Sequence, residues 1–321
     1  MPIVTLMVLA PVLTELVTGS TPVIGLLSPF SLILLFIGYS VPVVLIRDYV
    51  VRNRIGFAGT FAIGFAFGVY NEGLLAKTLI IAHNLPIKQF DQYGVIGGVN
   101  VPWMLTICLY HALAAVFLPI LFTHARYPEA AARPWLGKKL AIGLAVGLVA
   151  LASFSFMSSF VTRGTGGELV SLLAVMALCV ILARRSHEHP FDEPAPGAAP
   201  TMKAFWLGIS TLVAFFVLPP LAASHVSLLI YFAIVAAAAW FYVRLLHRSV
   251  PFTRDNVILF GLGFYVQSAT FGGLLGLSIG SIDRVLTAVA LDVALIWAAR
   301  RVVRNAKTAP VAMTAPSGPA A

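Results

Sequence analysis

The chain has 321 residues, of which 60% are apolar and only 10% charged, with a mean hydropathy of +0.95. Soluble domains carry about a quarter of their residues charged, so a secreted domain, a nucleic-acid binder and a cytosolic enzyme are excluded. The net charge of +9 is spread among apolar runs, as in cytoplasmic loops that face anionic headgroups.

A membrane-spanning helix needs about 20 mostly apolar residues. Ten segments qualify in chain order, at roughly 3–19, 26–46, 56–81, 101–123, 140–162, 168–184, 204–222, 226–246, 256–280 and 284–303. The runs are continuous and do not alternate, so the expected fold class is all-α, a polytopic transmembrane helix bundle and not a barrel. Basic residues then fix an orientation. Arg47, Arg52, Arg54, Arg126, Arg133, Lys138, Lys139, Arg184, Arg185, Lys203, Arg244, Arg248, Arg254, Arg300, Arg301, Arg304 and Lys307 fall in alternate segments, against Lys88, Arg163 and Arg284 in the others. That partition predicts both termini on the cytoplasmic side of a bacterial inner membrane.

The expected organisation is spans one to six over 1–186, a Pro- and Ala-rich flexible cytoplasmic linker over 187–201, spans seven to ten over 202–305 and a disordered tail over 306–321. The stretch His83–Gly98 (HNLPIKQFDQYGVIGG) reads as an outer re-entrant loop or a surface helix. Arg54–Tyr70 and Arg254–Gln267 share a basic start, glycines and closing aromatics, a weak sign of an internal repeat. Cys108 and Cys179 lie in apolar runs without a CxxC partner, so neither a disulfide nor a zinc site is expected. The first apolar run has no basic residue before it, which argues against a cleavable signal peptide. No phosphate-cradling GxxxxGK[ST] loop occurs, and no cofactor or metal is expected. His187, Glu188, His189, Asp192 and Glu193 superficially resemble a metal-binding tract but read as solvated linker.

Ionisable groups inside the spans carry the functional signal, because each costs about 2.5–3.5 kcal/mol to insert. Glu15, Glu72, His111 and Asp292 sit on four different helices. At 1.5 Å per residue, His111 lies about 15 Å and Asp292 about 12 Å from the outer ends of their spans, with Glu72 about 9–15 Å deep. Facing inward, the four would share one polar cavity open to the outer side. Glu72 is flanked by Tyr70, Asn71 and Gly73, after small residues at Ala58, Ala62, Ala66, Gly64 and Gly68 that suit close helix approach. Lys77 reads as snorkelling to the outer surface. Arg47, Asp48, Arg52 and Arg54 read as a headgroup anchor, with a fixed ion pair at the cytoplasmic mouth as the alternative.

Glu15 with Gly19-Ser20-Thr21-Pro22, Arg47-Asp48, Tyr70-Asn71-Glu72-Gly73 and His111 together resemble a set of uncharacterised bacterial polytopic membrane proteins. More distantly, Glu72 on one helix and His111 on the next are similar to the CAAX-protease group of intramembrane glutamic proteases, where a Glu-Glu pair and a later FxxxH activate water. Asn71 stands where that pattern has its first Glu, and Ile107 where it has Phe. Three readings follow: a permease moving a small solute or ion with protons, an intramembrane hydrolase, and a non-catalytic assembly or scaffold protein. The lipid bilayer is the expected partner in each, and nucleic acid in none.

Overall fold

The computed structural model describes all residues except 27, 82, 84, 86, 160, 187–198, 252 and 309–321. Helices fill all ten expected segments. They are α1 (Pro2–Leu16), α2 (Pro29–Arg52), α3 (Phe57–Val69, continuing through Tyr70–Leu75), α4 (Val101–Arg126), α5 (Lys138–Met157), α6 (Gly166–Arg185), α7 (Met202–Leu212, continuing through Val213–Val217 and Leu218–His225), α8 (Leu228–Ser249), α9 (Arg254–Ser278) and α10 (Ile282–Thr308). Six of these, α2, α4, α5, α6, α8 and α9, are long and apolar enough to cross a membrane. The linker core with its His187 tract and most of the tail lie outside the described residues.

Burial sorts the helices. The apolar windows of α4 and α9 are 78% and 67% buried, whereas those of α5 and α8 are 11% and 6% buried. An apolar helix with its side chains outward needs a lipid solvent. Leu140, Ile142, Val146, Val149 and Phe154 on α5 and Leu229, Trp240 and Phe241 on α8 form such surfaces. The interior is built by close approach at small residues. A Cβ placed on Gly64 would sit 2.8 Å from the Cα of Ala112, and one on Gly68 2.7 Å from the Cα of Cys108. On the other flank, a Cβ on Gly59 would meet the Ala183 carbonyl oxygen at 2.9 Å. The expected small-residue seam therefore exists, and it wedges α3 between α4 and α6.

Three prolines inside helices explain much of the wiring. Proline removes a backbone N–H and clashes with the carbonyl four residues back, so that carbonyl needs another donor when water is absent. Pro11 strands Met7 O, which accepts from the Ser40 hydroxyl at 2.5 Å. Pro42 strands Gly38 O, which accepts from the Asn71 amide at 3.4 Å. Before Pro119 the chain widens into a π turn, and Ala114 O, five residues back, accepts from the Tyr265 hydroxyl at 2.8 Å. Each repair comes from a different helix, so α1 is tied to α2, α2 to α3 and α4 to α9.

Three expectations need correction. The third span stops at Leu75 and not near 81, because the chain turns at Lys77 with φ 63°. Lys77 does not snorkel: it is 1% exposed, and its ammonium donates to Ser155 O and Ser158 O at 2.9 Å, capping the carbonyl end of α5. Among its described residues the stretch after it is not the expected surface helix. A 3₁₀ turn (Lys88–Phe90) and a short antiparallel hairpin, Val95–Ile96 with Val99–Asn100, fold over this end of the bundle. Leu79, Leu85 and Phe90 are buried there beside Trp103 and Tyr231.

Candidate functional site

The polar residues meet where four helices loosen. Segments Val12–Leu16 of α1, Phe36–Ser40 of α2, Tyr70–Leu75 of α3 and Ala112–Phe117 of α4 are π-helical turns. Such turns are rare and concentrate at functional sites because they redirect a side chain and free backbone groups. Glu15, Tyr39 and Glu72 lie within the first three, and His111 immediately precedes the fourth. The remaining π turn among the described residues, Val213–Val217 of α7, has no ionisable residue in its sequence VAFFV. α9 runs without such a turn where α3 ends in one, so the site belongs to the first half of the chain.

The side chains form a continuous line. The Tyr39 hydroxyl donates to Glu15 Oε1 at 2.5 Å and lies 3.2 Å from His111 Nε2. His111 Nε2 is 3.5 Å from Glu72 Oε1. Thr21 donates its hydroxyl to Glu15 Oε2 at 2.9 Å. Thr78, from the covering loop, donates to Glu72 Oε2 and accepts from the Trp103 indole N–H at 3.0 Å. The His111 and Tyr39 rings stack with centroids 5.8 Å apart, and Phe67 and Tyr110 flank the imidazole at 6.0 and 6.1 Å. His111 is 3% accessible against 12% for the Glu72 side chain, so the carboxylate is the reachable end of the pair.

The proton positions follow from the partners. Ile107 O, 2.9 Å from His111 Nδ1, can only accept, so Nδ1 carries a hydrogen. Tyr39 gives its one hydrogen to Glu15 across the shorter contact. Between Nε2 and Glu72 Oε1 there is then place for one proton, held as imidazolium and carboxylate or as a neutral pair. Tyr39 touches both Glu15 and His111, and His111 touches Glu72. The cluster is one coupled unit.

Not every expected residue joins it. Asp292 accepts from the Thr270 hydroxyl at 2.9 Å and makes no hydrogen bond or ion pair with Glu15, Tyr39, Glu72 or His111 among the described residues. Asn71 points to Gly38 O and Tyr70 donates to Leu148 O at 3.1 Å, so both are structural partners next to Glu72 and not part of its line. Thr21 enters from the Gly19–Pro22 motif beside Glu15, whereas Tyr39, Thr78 and Trp103 are not among the residues singled out from sequence. The available signal for Tyr39 was a phenol inside an apolar span, since a buried Tyr hydroxyl needs a partner.

Two turns along α2 from Tyr39, a second polar node replaces the expected headgroup anchor. Arg47 is fully buried and donates to Arg133 O, Ala130 O and Ala131 O at 2.6, 2.9 and 2.5 Å, with its guanidinium 3.6 Å above the Trp135 ring. Asp48 accepts from the backbone N–H of Trp135 and pairs with Arg52, both at 2.6 Å. Of the expected ion pair between Asp48 and the arginines, the Asp48–Arg52 contact is present, while Arg47 serves backbone carbonyls instead. Arg47 and Asp48 clamp the connection between α4 and α5 from inside, Arg52 is exposed beside Asp48, and Arg54 is exposed in a turn with φ 50°.

No curated protein and no solved structure matches the chain, and the likeness to intramembrane glutamic proteases gains no support from these comparisons. A family model does match, over residues 4–316, nearly the whole length. The chain belongs to that family, described as an uncharacterized membrane protein family.

Proposed function

We propose that the protein is a permease that moves a small solute across a bacterial cytoplasmic membrane in exchange with, or together with, protons held on Glu72 and His111. The observation that carries this reading is the 3.5 Å pairing of Glu72 Oε1 with His111 Nε2 on two π-distorted helices. An imidazole titrates near neutrality, and a carboxylate beside it shares its proton, which is the equipment of an intramembrane proton relay. The Arg47–Asp48 clamp supports a bundle sealed on the basic, cytoplasmic side while the acids approach the other. The distribution of Lys and Arg supports both termini on the inside.

The test is transport by the full chain in proteoliposomes under an imposed pH gradient. Solute-dependent dissipation of the gradient is expected, with its loss in Glu72→Gln while the variant keeps the wild-type elution profile. Undiminished exchange in Glu72→Gln would remove the pair from the mechanism. The hydrolase reading rests on the same pairing. It predicts peptide cleavage that depends on Glu72 and His111 and no solute-dependent proton movement.

A further inference from the structure

Away from the polar line, a cavity of about 190 Å³ lies between α4, α7, α8 and α9. It follows from how α8 is attached. The Tyr242 hydroxyl of α8 donates to Leu207 O of α7 and lies 3.3 Å from the Ser210 hydroxyl, which ties the two helices together at that level. From there to its basic end α8 turns Val243, Leu246 and Val250, at helical spacing, toward a space shared with Ala204 of α7 and Val257 of α9. The methyl of Ala204 leaves that space unfilled. Phe117 of α4 lines it as well, nine residues and about 13 Å from the end of α4 at Arg126, so the cavity reaches into the apolar layer.

Two polar side chains border it. The Asn256 amide accepts from the Thr201 N–H at 2.9 Å and donates to Pro251 O at 3.0 Å, so it frames the rim. The His247 imidazole is exposed and has no hydrogen-bond partner among the described residues. Such walls hold no polar solute, whereas an apolar chain needs no partner along them. An apolar space left empty forfeits dispersion contacts, and about 150 Å³ is enough to admit a benzene-sized molecule. Val243 is 51% exposed although it lines the space, and Trp240, one turn further in, is 62% exposed. The opening therefore lies on the surface that α8 shows to lipid.

Charge at the rim selects the occupant. Lys203 in the first turn of α7 and Arg248 in the last turn of α8 are exposed, without ion-pair partners among the described residues. Arg254 of α9, which donates to Ala125 O, adds a third cation, and Asp255 beside it a carboxylate, so the rim is net positive. We propose that the cavity holds one acyl chain of an anionic phospholipid from the leaflet on the basic side, with its phosphate among Lys203, His247 and Arg248. Neighbouring lipids carry similar chains, so the tail fills the space without choosing the lipid. The headgroup makes the choice: each basic residue near the surface favours an anionic lipid about fivefold, and two of them by at least about tenfold. This inference is independent of how Glu72 and His111 use their proton.

The full chain in mild detergent is equilibrated with equal amounts of dioleoyl phosphatidylglycerol and dioleoyl phosphatidylcholine, and retained lipid is counted by native mass spectrometry. One phosphatidylglycerol per chain is expected, at least about tenfold over phosphatidylcholine. Val257→Trp, which fills the cavity from α9, is expected to lower its retention about tenfold. Should thermal midpoints show that variant to be unfolded, Val243→Trp fills the same space from a half-exposed position. Lys203→Gln with Arg248→Gln is expected to cut the preference below about threefold. Inorganic phosphate is expected not to displace the lipid. Equal retention of the two lipids by the wild type, retention unchanged in the folded cavity-filling variant, or a preference that survives the double substitution each overturns the inference. So does displacement by inorganic phosphate, which would leave a site for free phosphate. A lipid-free dimer that Val257→Trp dissociates would make the occupant a second copy and overturn it too.

Discussion

His111 Nε2 and Glu72 Oε1 face each other at 3.5 Å across the seam of α3 and α4. The seam is set one turn earlier, where Gly68 lies against Cys108. Gly68→Ala would place a methyl 2.7 Å from the Cys108 Cα, a backbone atom that cannot turn aside, so the helices must separate. The expected cost is about 1–3 kcal/mol, read as a lower thermal midpoint, together with weakened coupling between Glu72 and His111.

That coupling is measurable by itself. Comparing Glu72→Gln, His111→Gln and the double variant should give an interaction energy of about 0.5–3 kcal/mol, since the two side chains share a buried contact. Additive effects in chemical denaturation would show that the pair holds nothing in common.

Asn71 is expected to behave differently from its neighbour. Asn71→Leu leaves Gly38 O, stranded by Pro42, without its donor, at a cost of about 1–3 kcal/mol. Tyr265→Phe should cost a similar amount through Ala114 O. Both variants are predicted to lower stability while keeping the proton count of the Glu72–His111 pair, which potentiometric titration of the purified chain checks.

At the other node, Arg47→Lys replaces a planar fork that serves three carbonyls and stacks on Trp135 by a single ammonium. The expected result is loosening of the 127–137 connection, seen as faster limited proteolysis there, with the covering loop around Thr78 unaffected.

Much of the architecture is written in the apolar runs, because twenty consecutive apolar residues leave the chain few alternatives in lipid. Glu15, Glu72 and His111 were legible for the same reason: charged groups there need a cause. Asp292 obeyed the same rule but found a local partner in Thr270 on α9, and insertion cost does not distinguish a lone pair from a shared site. Lys77 and Arg47 were misread because a basic residue at a span end has two stable fates, water or helix carbonyls, and only the fold supplies the carbonyls. The π turns were the least legible. Pro42 and Pro119 hint at two of them, yet Tyr70–Leu75 has no proline near it.

The central claim is that Glu72 and His111 together hold one exchangeable proton, and acid–base titration of the purified protein through the neutral range tests it most directly. Wild type should release about one proton more than the folded Glu72→Gln, His111→Gln double variant. Superimposable titration curves for the two proteins would contradict the account.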